Sequence, residues 1–230
     1  MHRIIDEIER EKEILAQGEF FRWLAEPTAT DQQKLAFIPG MFAYVLSFRD
    51  LLSLITDPPD GDLQDAVNAY VAEDAGHFQW YLDDLKKLDL DPVEPADPWD
   101  HRLLPSRRAI YRMIAYALDH DDVMLRVALV MIFEATGEVF LRHTRQLVQR
   151  LGLDESLGYF GTLHYHDELA HSIQFDQLRP RQLTDEQYAI ASEMVRKAFV
   201  EYQGLFQSWK DRALAGRGVA LYDGRELRAG

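Results

Sequence analysis

Residues 121–152 read DDVMLRVALVMIFEATGEVFLRHTRQLVQRLG, and this stretch decides the fold class. Asp121 and Asp122 stand where a helix wants an N-cap, and Gly152 stands where one is closed. The run between them is far too long for a strand. Val127 to Phe133 is apolar without a break, so the helix there has to be buried on every side. Glu134 follows directly. An ionised carboxylate in such a setting costs several kcal/mol unless it is paired or metal-bound. Glu138 lies one turn on, about 40° round the helix, and small Ala135 and Gly137 leave room beside both acids. The pattern has two readings: a buried ion pair, with Arg49 or Arg126 as the cation, or a carboxylate held for a metal.

The rest of the chain repeats the helical signature. Residues 6–15 are amphipathic. The apolar cluster Phe20, Phe21, Trp23 and Leu24 ends at Pro27. Thr30 with Gln33, and Thr184 with Gln187, are capping boxes that start helices. The first runs to about residue 56, with a kink expected at Pro39–Gly40, and Asp57–Pro58–Pro59–Asp60–Gly61 stops it. Long helices are expected over 62–90, 106–118, 121–151, 154–178 and 185–214, with a proline-rich loop between the first two. No stretch alternates with period two beyond a short candidate at 218–222. The expectation is an all-α, single-domain bundle of seven to eight helices over 1–214, followed by a loose tail over 215–230.

Composition removes several classes of function. The chain of 230 residues has no cysteine, so disulfides, thiolate metal sites and a cysteine nucleophile are excluded. Lys and Arg number 25 against 39 Asp and Glu, a formal net charge of −14, which repels phosphate backbones and anionic lipid. The expected partner is therefore a small molecule, not a nucleic acid or a membrane. No apolar run is expected to approach the roughly 20 residues of a membrane span. The charged N-terminus does not look like a signal peptide. A cytoplasmic location fits, with a homodimer as an open option for assembly.

Two further segments carry candidate chemistry. In His164–Tyr165–His166–Asp167–Glu168–Leu169–Ala170–His171, a continuous helix places His164, Glu168 and His171 on one stripe of about 60°. Two imidazoles and a carboxylate on one face suit iron, manganese or zinc; the alternative is a solvated polar face. His166 and Asp167 point elsewhere. In Glu73–Asp74–Ala75–Gly76–His77, either acid shares a face with His77, against the alternative of an exposed acidic turn and a core histidine. Together the three segments hold about three histidines and three or four carboxylates, the inventory of a carboxylate-bridged dinuclear site in a bundle.

The stretches FIPGMFAYVLSFRDL (37–51), EDAGHFQWYLDDL (73–85), IFEATGEVF (132–140) and YHDELAHS (165–172) resemble the haem-oxygenase-like diiron oxidases. Within that superfamily they look like the branch with the nitrile-forming enzyme that acts on a brominated tryptophan. The superfamily shares its fold with haem oxygenase and thiaminase II and uses two irons and O2 to oxidise amino acids, fatty acids and related molecules. The resemblance implies Glu73 or Asp74, His77, Glu134, His164, Glu168 and His171 as iron ligands, with Glu73 preferred. Glu138 would be either a further ligand or a carboxylate that moves in during turnover. Glu168 departs from the aspartate more usual there. A thiaminase-like hydrolase is disfavoured by the missing cysteine, and haem degradation by the lack of a suitable proximal histidine, His2 being too close to the terminus.

Arg49 follows the run Tyr44 to Phe48, which reads as buried, so it is expected inside the bundle. There it would either fork onto a substrate carboxylate or pair with an acid such as Asp50. Tyr44 and Phe48 would line a pocket for an aromatic group. The sequence thus points to a non-haem diiron oxidase acting with O2 on an amino acid or its derivative. The alternative is a non-catalytic helical protein whose acids only form ion pairs.

Overall fold

The computed structural model describes residues 1–90, 101–167 and 180–215. Its helices are α1 (His2–Ala16), α2 (Glu19–Ala25), α3 (Asp31–Lys34), α4 (Phe42–Ile55), α5 (Asp62–Asp74), α6 (His77–Lys87), α7 (Leu104–Asp119), α8 (Val123–Arg150), α9 (helical over 162–167) and α10 (Asp185–Leu214). There is no strand among the described residues.

The opening stretch becomes α8, the central element, with α1, α2, α5 and α10 packed around it. Asp122 caps it, accepting hydrogen bonds from the backbone N–H of Met124 (2.8 Å) and Leu125 (3.3 Å). Gly152 follows its end at φ +70°, a conformation only glycine adopts without strain. Every residue from Val127 to Thr136 is buried. Both capping boxes form, with Gln33 and Gln187 donating backbone N–H bonds of 3.1 Å to Thr30 and Thr184. α10 packs on α1, α7 and α8, and α4 on α7, closing the bundle around one hydrophobic core.

Three helices differ from expectation, each at glycine or proline. The helix expected from Thr30 to about residue 56 is α3, a 3-10 turn over Leu35–Met41 containing Pro39, and then α4. Pro39 has no N–H to donate, and the tighter turn takes up the missing bond. The 62–90 helix breaks at Ala75–Gly76 and restarts when Gln79 N–H donates to the Gly76 carbonyl at 3.0 Å. The helix expected from Asp154 begins only at 162, where Thr162 N–H donates to the Asp154 carbonyl at 2.9 Å. Residues 154–161 are turns instead. A Cβ on Gly161 would sit 2.0 Å from the Leu157 carbonyl oxygen, so this turn admits glycine alone.

The expectation of no apolar segment long enough to span a membrane also needs correction. Asp31–Ile55 is long and apolar enough to qualify on length and composition alone. Half of its most apolar part is buried inside the bundle, and the stretch packs on α7 and α10 as a core element does. The loose tail expected beyond Leu214 lies, from residue 216 on, outside the described residues.

Candidate functional site

A cavity of about 80 Å³ opens between α4, α5, α6, α8, α10 and the 159–164 segment. That is room for several water-sized groups. Its two ends differ in chemistry. Tyr44, Phe48, Phe133, Tyr202, Phe206 and Trp209 wall one end, and Asp74, His77, Tyr159 and His164 wall the other.

At the second end two buried imidazoles meet. His77 and His164 are 5% and 3% exposed, and their ring centroids lie 4.1 Å apart. The break at Ala75–Gly76 starts α6 at His77 and lets Asp74, the last residue of α5, turn back towards it. His77 Nδ1 is 2.9 Å from Asp74 Oδ1, and His164 Nδ1 is 2.8 Å from the Tyr159 carbonyl oxygen. A carboxylate and a carbonyl oxygen accept hydrogen bonds, so each Nδ1 is the donor. In the neutral ring the lone pair is then on Nε2. Metal-ligating histidines are held this way, the outer nitrogen donating to a carboxylate or backbone carbonyl.

The turn that supplies the Tyr159 carbonyl is itself anchored. Asp84 sits on α6 two turns beyond His77, about 20° round the helix, and is fully buried. It accepts backbone N–H bonds from Gly158 (2.8 Å), Tyr159 (2.8 Å) and Phe160 (3.1 Å). Burial pushes its carboxyl above the usual range, while the N–H donors and nearby Lys87 pull it back down. A Cβ on Gly158 would meet the Trp80 side chain at 3.2 Å, so glycine lets the turn lie against α6.

The aromatic end is held by packing. Tyr44 stacks on Phe48 (centroids 5.9 Å apart), Phe48 meets Phe133 edge-on (5.1 Å), and Tyr44 meets Trp209 edge-on (5.8 Å). The hydroxyls of Tyr44 and Tyr202 are hydrogen-bonded at 2.9 Å, and Tyr202 also interacts with Thr136 of α8. Burial raises Tyr44 well above the usual phenol range and Tyr202 to about 12.

The residues expected to ligate metal are placed as follows. Glu73 is exposed, and its neighbour Asp74 faces His77; the helix break turned the register that had favoured Glu73. Glu134 is buried on α8, next to Phe133 of the cavity wall. Neither cation considered for it is its partner. Arg126 is engaged by Asp57, by Asp121 at 2.6 Å and by Gln64 at 3.0 Å. Arg49 is exposed at the cavity mouth, not inside the bundle, and its side chain bonds no described residue, Asp50 included. Glu138 pairs with Lys12 of α1 at 2.9 Å and with Arg142 at 4.0 Å, outside the cavity wall, so the structure gives it an ion-pairing place. Glu168 and His171 lie outside the described residues. Among the described residues no three His, Asp or Glu side chains converge at metal distance.

Sequence reasoning missed Asp84, Gly158, Tyr159 and Gly161. The signal for Asp84 was present: a charge seven residues after His77, flanked by Leu82 and Leu85, sits on the apolar side of α6.

The chain matches the family described as iron-containing redox enzymes, haem-oxygenase-like, over residues 35–202, and it belongs to that family. The matched span contains His77, Glu134 and His164. Among solved structures, the chain is similar to a TenA homologue from Pyrococcus furiosus, with 12% identity, 92% of this chain and 98% of that one covered, and a TM-score of 0.62. It is also similar to a TenA homologue from Pseudomonas syringae pv. tomato, with 11% identity, 91% of each chain covered, and a TM-score of 0.64. At these identities the likeness establishes the fold: an all-α haem-oxygenase-like bundle. No curated protein matches. These comparisons reach the family and the fold, and carry nothing for the nitrile-forming branch.

Proposed function

We propose that this chain is a non-haem iron oxidoreductase that binds two irons and uses O2 to oxidise a small molecule, an amino acid or a derivative of one. The observation that carries the reading is the pair His77 and His164. Both are buried, both line the cavity, and both donate through Nδ1 to a fixed oxygen, which in the neutral ring leaves the lone pair on Nε2. A buried imidazole N–H needs an acceptor in any role, and His143 donates through Nδ1 as well; what supports the metal reading is that two such rings meet 4.1 Å apart in one cavity, a donor pair that suits a divalent transition metal.

In this reading His77 and His164 would hold iron, and Glu134, buried on α8 but outside the cavity lining, would join them with Glu168 and His171 only once metal draws the set together. Bound iron supplies O2 activation. Asp74 orients His77. Tyr44, Phe48, Phe133 and Trp209 exclude water and take the apolar part of the substrate. Arg49 stands at the mouth, where its guanidinium fork receives the substrate carboxylate.

Anaerobic Fe(II) titration tests the reading. The wild-type protein is expected to retain close to two irons per chain, and His77→Ala and His164→Ala to lose most of that binding while keeping their helical circular dichroism. A folded wild-type protein that retains no iron would overturn the proposal and leave a helical protein whose acids only form ion pairs.

A further inference from the structure

We infer that Asp84 is a positioning residue for the metal site: through the 158–160 turn it holds the Tyr159 carbonyl where it fixes the tautomer of His164. The inference rests on the reading of His77 and His164 as the ligand pair, and it adds a residue that touches neither.

The chain of contacts is short and directional. Asp84 Oδ1 takes the Gly158 N–H, and Oδ2 takes those of Tyr159 and Phe160. Three bonds to consecutive peptide groups fix that backbone in place and direction. The Tyr159 carbonyl then accepts from His164 Nδ1 at 2.8 Å. A neutral imidazole carries one N–H, so tying it to Nδ1 leaves the lone pair on Nε2, the nitrogen a metal would use. Rotating the peptide removes the acceptor, and a free ring drifts towards the opposite tautomer. His77 and Asp84 ride on the same stripe of one helix, so α6 sets both imidazoles: His77 directly and His164 through the turn. Close packing of the turn on α6 adds to this, because Gly158 lies against the Trp80 side chain and Trp80 packs in turn on His77, centroids 4.9 Å apart.

A buried carboxylate accepting three N–H bonds also serves stability, so the test needs a readout that stability alone would not move. In metal-free protein labelled with 15N in the histidine rings, long-range correlation spectra at mildly alkaline pH report each tautomer. Wild-type His164 is expected to be protonated at Nδ1. Asp84→Asn keeps the shape but has one acceptor oxygen in place of two, and His164 should shift towards the Nε2-protonated form. His143, whose Nδ1 donates to the Val139 carbonyl at 2.7 Å, is the internal reference and should not change. Fe(II) affinity should fall about 10–100-fold in the same variant. Gly158→Ala displaces the turn while leaving Asp84 in place; it should move His164 the same way and carries the test if Asp84→Asn does not fold. A wild-type His164 protonated at Nε2, or folded variants with an unchanged His164 tautomer and iron affinity, would overturn the inference. If His164 answers to Asp84 and the wild-type protein retains no iron, the positioning stands and the iron reading falls.

Discussion

The two ends of the cavity are built by different physics. At the histidine end, orientation comes from directional bonds to fixed oxygens: Asp74 to His77, the Tyr159 carbonyl to His164, and Asp84 to three consecutive peptide groups. At the aromatic end, Tyr44, Phe48, Phe133, Phe140, Phe206 and Trp209 are held by ring contacts, with one hydroxyl pair among them. The first end fixes which ring nitrogen carries the proton. The second fixes shape and dryness. One should therefore be perturbed without disturbing the other.

The largest separation is expected from Trp209→Ala. Trp209 is 1% exposed and packs on Phe20, Phe37, Tyr44, Phe140 and Phe206. Its loss should cost about 3–5 kcal/mol in urea unfolding, with the Nδ1-protonated tautomer of His164 retained. A tautomer shift in this variant would abolish the division between the ends.

Next in size is an alkaline effect to which Tyr202 of the aromatic end contributes. Burial raises Tyr202 from 10.0 to about 12, so the folded state holds the phenol proton more tightly than the unfolded chain. That stability is present below about pH 10 and is lost as pH rises through about 12, a change on the order of 2–3 kcal/mol. Unfolding curves between these limits should show it, and Tyr202→Phe should reduce the slope without abolishing it, because burial also raises the phenols of Tyr44 and Tyr81. An unchanged slope in that variant would place the titrating group elsewhere.

A smaller effect tests the hydroxyl pair. Tyr44→Phe should cost about 1 kcal/mol and leave iron retention close to wild type. Loss of iron would show that the aromatic end helps to position the ligands.

The smallest effect comes from a carboxylate anchor outside the cavity. Asp31 accepts from Arg150 at 2.8 and 3.1 Å and is about a quarter exposed. The guanidinium, and then Lys34, hold its carboxyl below the usual range. Its contribution is present above pH 3.8 and is lost as pH falls through the lower folded value. Solvent screening keeps Asp31→Asn below about 1 kcal/mol at neutral pH, converging with wild type in acid. An effect as large as that of Asp84→Asn would mean that burial is not what distinguishes the two anchors.

Part of the site was legible in advance because the signal was local. Glu134 stood out as a charge directly after seven apolar residues, and His77 and His164 each sat beside acids on a helix face. The choice between Glu73 and Asp74 was not legible, because it turned on whether the helix continued through Gly76. A single glycine costs a helix only about 1 kcal/mol, an amount that packing overrides in either direction. Once the helix broke, Asp74 faced His77 and Glu73 faced solvent. Arg49 was misplaced for a similar reason: the apolar run before it predicted burial, but α4 turns that position to the cavity mouth.

The sequence by itself determined the all-α class, the capped starts of α3, α8 and α10, the glycine after α8, and the burial of the α8 run, since each depends on side chains within a few residues of the backbone they satisfy. The tertiary structure decided what those elements do together. The three N–H groups that Asp84 accepts lie 74 to 76 residues away in sequence, and no periodicity within α6 names them. Which nitrogen of His164 carries the proton depends on a carbonyl whose direction is set by that long-range anchor. Local propensity chooses the helix; only the packed fold chooses the peptide plane beside it, because that plane is fixed by hydrogen bonds between segments far apart in the chain.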